Sequence, residues 1–276
     1  MNLNEQVKAA ATALQAADAL LISAGAGLGV DSGLPDFRGR EGFWRAYPVF
    51  AERGLSFGAV ANPAVFREDP RLAWAFYGHR LNLYRQTPPH AGFHRLLEIG
   101  TAKPAGYFVF TSNVDGHFQK AGFAAERIVE CHGSIHYFQC TTPCREAIWE
   151  AAEETVILEE NAFRARMPMP QCRYCSALAR PNILMFGDWL WLEQRTAAQH
   201  KRFANWLTEL ARSAAKIVVI ELGAGSAIPT VRSTSEQVVE VLGGRLIRIN
   251  PRECEVPPGH IGLPCGALAG IQRISA

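Results

Sequence analysis

Short apolar runs rich in Val and Ile recur along the chain, and the segments between them place apolar residues at helical spacing. Continuous apolar runs suit strands buried on both faces, as in a parallel sheet covered by helices. The pattern predicts strands at Ala19–Ser23, Tyr107–Thr111, Arg127–Glu130, Asn182–Phe186, Lys216–Glu221 and Arg245–Ile249. It predicts helices at Glu5–Ala16, Ala91–Ile99, Glu193–Arg212 and Thr234–Val241. This alternation reads as an α/β fold built on a doubly wound parallel sheet. Two stretches break it. One, at about 39–89, is aromatic and mostly helical in pattern; the other, at about 135–179, contains paired cysteines. Both read as insertions, leaving a core of about 1–38, 90–134 and 180–276 within a single domain, 1–276.

Composition narrows the function classes. With 48% hydrophobic and 20% charged residues among 276, the chain can bury a sizeable core. Its 28 Lys and Arg against 26 Asp and Glu leave +2, too balanced to imply a nucleic-acid or membrane-surface partner. The opening stretch carries Glu5 and Lys8 in place of an apolar signal, and no run approaches the ~18 apolar residues that span a bilayer. Seven cysteines, an odd number, do not make a closed disulfide framework. The expectation is a soluble, cytoplasmic protein with no nucleic-acid or membrane partner. Nothing in the sequence indicates an oligomeric state.

Candidate chemistry lies where strands end. The first strand runs into Gly25-Ala26-Gly27-Leu28-Gly29-Val30, a glycine-rich turn that can present backbone N–H groups to a pyrophosphate. Asp36-Phe37-Arg38 follows, an acid, an aromatic and a base suited to a ribose or an aromatic ring. Ser112-Asn113-Val114-Asp115-Gly116 closes a second strand and His132-Gly133 a third, at the sheet edge where open parallel sheets bind ligands. A histidine there is a candidate general base. Gly223-Ala224-Gly225-Ser226 and Asn250-Pro251 end two later strands, where the second half of a dinucleotide would lie. Cys140-x3-Cys144 and Cys172-x2-Cys175 have the spacing of a closed, structural four-cysteine zinc site.

The ordered set resembles the sirtuin family of NAD-dependent protein lysine deacylases. It comprises Gly25-Ala26-Gly27, Ser32-Gly33-Leu34-Pro35-Asp36-Phe37-Arg38-Gly39, Asn113-Val114-Asp115-Gly116, His132-Gly133, the two Cys pairs, Arg180-Pro181 with Phe186-Gly187, and Asn250. The resemblance runs over nearly the whole chain. It implies a Rossmann-like domain with a smaller zinc-ribbon and helical module, NAD and one structural zinc as cofactors, and acylated protein lysines as partners. It also implies attack of the acyl oxygen on the nicotinamide ribose, His132 as general base, and O-acyl-ADP-ribose as product. Asn113 and Asp115 would orient ribose and amide, Phe37 and Arg38 would close over the cofactor, and Asn182–Phe186 with Gly187 would pair with the peptide.

Four departures from the family pattern stand out: Ser112 replaces Gln, His117-Phe118 replaces Leu-His, Gly223-Ala224-Gly225 lacks the usual hydroxyls, and Gly29 replaces Ser. Ser226 would then substitute at the phosphate loop. These changes keep open an alternative, a mono-ADP-ribosyltransferase or NAD glycohydrolase using the same pocket. Tyr77 and Arg80 resemble the Tyr-x-x-Arg motif of the subgroup that removes succinyl and malonyl groups, and on a helix they share a face. The same spacing also fits a Tyr77 packed in the core beside a solvated Arg80.

Overall fold

The computed structural model describes residues 2–35, 40–159 and 162–275. The chain enters through a helix, Leu3–Ala16, whose start is fixed by Asn2. The Asn2 side chain accepts from the Glu5 N–H, and the Glu5 carboxylate accepts from the Asn2 N–H, which satisfies two donors that a helix end leaves open. The strands in chain order are β1 (Ala19–Ala24), β2 (Tyr107–Thr111), β3 (Ile128–Glu130), β4 (Gly133–Cys140), β5 (Ile148–Glu150), β6 (Leu158–Glu159), β7 (Arg164–Ala165), β8 (Ala179–Ile183), β9 (Ile217–Leu222), β10 (Arg245–Ile249) and β11 (Ile261–Leu263).

Six of these form one parallel sheet in the order β11-β10-β9-β1-β2-β3. Every residue of β1, β2 and β9 is buried, as strands covered on both faces must be. One face packs Phe93, Leu96, Ile271 and Ile274 against Ile22, Val109 and Val218. The other packs Phe203, Trp206, Leu210 and Val238 against Leu21, Phe108 and Val219. The doubly wound α/β architecture expected from the apolar runs is therefore present.

A third core joins the helices between Arg40 and Gln86 to a three-stranded antiparallel sheet, β5-β4-β8. Phe43, Tyr47, Phe50, Phe76 and Tyr77 pack there with Ile135 and Phe138.

One strand expectation needs correction. Asn182–Phe186 is not a strand of the parallel sheet: the strand is Ala179–Ile183, and it runs antiparallel to β4. The apolar run Ile183-Leu184-Met185-Phe186 reads as a buried strand, but it leaves the sheet after Ile183. Leu184 N–H then donates to the His132 carbonyl and Phe186 N–H to that of Ala61. The edge strand β11 was not predicted, because three residues with a central glycine carry almost no periodic signal. The helix expected at Thr234–Val241 begins a turn earlier, at Thr230. No helix among the described residues is long and apolar enough to cross a membrane.

Candidate functional site

The strand order reverses direction at β1: the chain builds outward through β2 and β3, then returns to place β9 on the other side. Such a switch point opens a crevice at the carboxyl ends of the strands. There the loop after β1 meets the loop after β9 backbone to backbone. Gly25 N–H donates to Leu222 O (2.9 Å) and Gly27 N–H to Gly223 O (3.0 Å). A Cβ on Gly25 would stand 2.7 Å from the Ala224 Cα, and one on Gly27 2.7 Å from the Gly223 Cα. These two glycines are required by loop-to-loop contact, a cradle that side chains would fill. The segment after Gly25 winds into a 3-10 helix, Ala26–Ser32. Asp36, Phe37 and Arg38 lie outside the described residues.

The loop after β2 is held over this crevice. Asn113 Nδ2 donates to Gly25 O (2.9 Å), and Thr111 Oγ1 accepts from Asn113 N–H (3.0 Å) while donating to Ala24 O (3.1 Å). Asp115 accepts from His117 N–H through Oδ1 (2.9 Å), and its carbonyl lies 2.8 Å from His136 Nε2. His132 follows β3, and its carbonyl anchors Leu184, so it is clasped between the two sheets. A buried pair fixes the neighbouring loop: Arg180 Nη1 stands 2.6 Å from Asp188 Oδ2, with both side chains almost fully buried. Asp188 also accepts from Leu190 N–H (3.2 Å).

These elements line a cavity of about 230 Å³. It brings together Ala26, Ser112, Asn113, Asp115 and His132 with Tyr77 and Arg80. The alternative of a solvated Arg80 does not hold, since the residue is 7% exposed. Its Nε and Nη2 both donate to Tyr84 Oη (3.0 and 2.9 Å). Burial works against its proton, but the oxygens of Tyr84, Tyr77 and Tyr47 more than offset this, and its pKa is raised. Tyr77 is fully buried, its hydroxyl makes no hydrogen bond among the described residues, and burial pushes its pKa up, so it stays a donor. A fixed cation and an idle O–H at one cavity wall can receive a carboxylate. Tyr84, seven residues after Tyr77 on the same helix face, also lines the cavity and escaped sequence reading, although its spacing carried the signal. Leu184 and Met185, within the Asn182–Phe186 stretch that the resemblance assigns to the peptide, line it as well.

Gly223, Ser226 and Asn250 lie at the second half of the crevice but outside the residues lining the cavity. Asn250 spends its side chain on the loop itself: Nδ2 donates to Ala224 O (3.0 Å), and Oδ1 accepts from Arg252 and Glu253 N–H (3.0 and 3.1 Å). Ser226 donates its N–H and its hydroxyl to the Glu253 carboxylate (2.8 and 2.9 Å). Those two bonds hold the Glu253 pKa below the usual carboxylate range, assisted by Arg232. An anion seeking Ser226 must displace that carboxylate.

Cys140, Cys144, Cys172 and Cys175 place their Sγ atoms within 4.8 Å of one another. Cys140–Cys175 and Cys144–Cys172 are each 3.7 Å apart, too long for a disulfide (about 2.05 Å). A tetrahedron with Zn–S bonds of about 2.3 Å has S–S edges of about 3.8 Å. The donor set fits a zinc ion with no open position.

The sequence pattern of the Sir2 family matches residues 25–215. An NAD-dependent protein deacylase of Thermococcus sibiricus is 32% identical over 242 residues, spanning 87% of this chain and 83% of the relative. NAD-dependent protein deacylase 2 of Pseudomonas aeruginosa is 30% identical over 190 residues, 69% of each. Among solved structures, a mutant Sir2 homologue in complex with ADP-ribose aligns with a TM-score of 0.71 at 25% identity, covering 97% of this chain and 94% of the other. Another, in complex with 2′-O-acetyl ADP-ribose, aligns at 0.70 and 26%, covering 100% and 95%.

Proposed function

The chain belongs to the Sir2 family, and from that premise we propose how its cavity works as an NAD-dependent protein lysine deacylase. The observation that carries the reading is the convergence of Ser112, Asn113, Asp115 and His132 on one cavity at the sheet's switch point. Bound NAD supplies a ribose carbon that gives up nicotinamide and a hydroxyl that receives the acyl group. His132 takes the proton from that hydroxyl, since it lines the cavity and its carbonyl is pinned by the Leu184 N–H. Asn113, with Nδ2 committed to Gly25, keeps Oδ1 for a donor on the ligand. Asp115 contributes a carboxylate oriented by the His117 N–H. Gly25, Ala26, Gly27, Gly223 and Ser226 form the phosphate side, with Asn250 holding its loop, and Asp36, Phe37 and Arg38 are assigned to cofactor closure from the sequence resemblance. Cys140, Cys144, Cys172 and Cys175 hold one structural zinc that ties the small sheet together.

The finer reading is a preference for acidic acyl groups. Arg80 and Tyr77 stand in the same cavity as His132, a charged fork and an O–H where an acyl chain would end. Phe57, Val114 and Met185 supply apolar wall for its methylenes. One catalytic domain, 1–276, with insertions at about 39–89 and 135–179, and a cytoplasmic location belong to the same proposal. No disulfide links the cysteines among the described residues, which suits a reducing compartment.

Kinetics on matched acetyl-lysine and succinyl-lysine peptides with NAD test this reading. Succinyl-lysine is the preferred substrate, and Arg80→Met lowers its kcat/KM by about 10²-fold while sparing acetyl-lysine, the scale of one lost charge-assisted pair (about 2–3 kcal/mol). A wild-type preference for acetyl-lysine rejects the acidic-acyl assignment, and loss of both activities in Arg80→Met makes Arg80 structural.

A further inference from the structure

A second cavity, of about 580 Å³, lies against the same loop: Asp115 lines the first cavity and Gly116 the second. Arg85, Lys120, Arg195 and Arg202 stand in its wall with His136 and Tyr137, and no aspartate or glutamate among the described residues lines it. Arg195 and Arg202 are seven apart on the helix Gln194–Ser213 and share a face.

The cations are held in place largely by neutral groups. Lys120 Nζ donates to the carbonyls of Tyr84, Arg85 and Thr87 (2.6, 2.8 and 3.2 Å). Arg85 donates to those of Glu154 (2.6 Å) and Ala151, and Arg202 Nε to that of Glu126 (3.2 Å). Carbonyls fix position without cancelling charge. Of the four, only Arg195 forms an ion pair among the described residues, with the buried Glu130. Its guanidinium lies 4.0 Å from the Tyr137 ring centre. Its Nη1 is buried and makes no hydrogen bond among the described residues. The carboxylates of Glu154 and Asp115 act on Arg85 and Lys120 at longer range, yet burial still lowers the pKa of both. Positive charge in this wall is undercompensated.

We propose that this cavity is a binding site for a small polyphosphate anion, separate from the dinucleotide crevice. Arg85, Arg202 and Lys120, none of them in an ion pair among the described residues, put several positive charges around a single space beside the Arg195 guanidinium, a field that suits a di- or triphosphate better than one carboxylate. The volume lies in the range of small-molecule sites, about 300–1,000 Å³. Because His136 lies 2.8 Å from the Asp115 carbonyl, the site abuts the loop that carries Asn113 and Asp115.

Calorimetric titration of the full chain with inorganic pyrophosphate, and separately with ATP, tests the site. Saturating ADP-ribose is kept present so that a diphosphate site in the crevice does not register. The expected result is saturable binding of at least one probe, weakened tenfold or more in Arg202→Glu, an exposed position whose reversal leaves the thermal midpoint unchanged. Equal affinities identify the phosphates alone as the ligand; tighter ATP binding adds a contact to its organic part. Should Arg202→Glu not fold, Arg202→Gln with a weakening of threefold or more serves instead. Absence of saturable binding by both probes, or a smaller weakening in the variant that folds, overturns the proposal.

Discussion

Gly133 has φ near +76°, and a Cβ there would collide with the Asn182 carbonyl, so the turn that presents His132 admits no other residue without strain. Gly133→Ala is expected to lower stability by about 1–3 kcal/mol and to cut turnover with it, measured by denaturant unfolding and kinetics on one preparation. His132→Ala acts differently. The residue lines the cavity, so the thermal midpoint should hold while kcat falls by about 10²–10⁴-fold. A decline well short of that range would remove the residue from its role as base. Glu253 offers a test in the opposite direction. Its charge occupies Ser226, where the proposed phosphate side lies. Glu253→Gln should lower KM for NAD by about fivefold, the effect of removing about 1 kcal/mol of repulsion through water; an unchanged KM would separate Ser226 from the phosphate. His132, Asn113 and Asp115 were legible because polar residues closing apolar strands have few structural reasons to be there. The engagement of Ser226 by Glu253 was not, since 27 residues separate partners that only the fold brings together.

Among the elements, the apolar runs located five strands of the parallel sheet, and helix ends were read to within a few residues where a cap such as Asn2 marks them. β8 was misplaced because polar residues that the fold buries do not advertise burial. Arg180 and Asn182 are almost fully enclosed, Arg180 paired with Asp188 and Asn182 Nδ2 donating to Gln139 and Leu192, while the apolar residues after them line a ligand cavity. Arg180→Met would leave Asp188 buried without its partner, a loss of about 3–5 kcal/mol, seen as a lower unfolding midpoint. The four-cysteine cluster makes its own prediction. Cys172→Ser should release zinc and loosen β4, β5 and β8, because binding free energy there is folding free energy. Elemental analysis that finds no zinc in the purified wild type would remove the metal from the structure.

Across the whole molecule, acid stability follows from buried histidines. Burial lowers the pKa of His90, His117 and His136 below the ordinary 6.5. The folded state therefore resists protonation that the unfolded state accepts, so stability is full above about pH 6.5 and declines as pH falls below it. The melting temperature should drop between pH 7.5 and pH 5.5, and His117→Leu, at a fully buried position, should flatten that drop. A pH-independent midpoint over this interval would contradict the burial of these rings. What the crevice and the cavity accomplish together is read from the mass of the product formed from NAD and an acyl-lysine peptide. O-acyl-ADP-ribose appearing in step with deacylated peptide and nicotinamide is the predicted result. Free ADP-ribose or ADP-ribosylated protein with the acyl-lysine intact would contradict it.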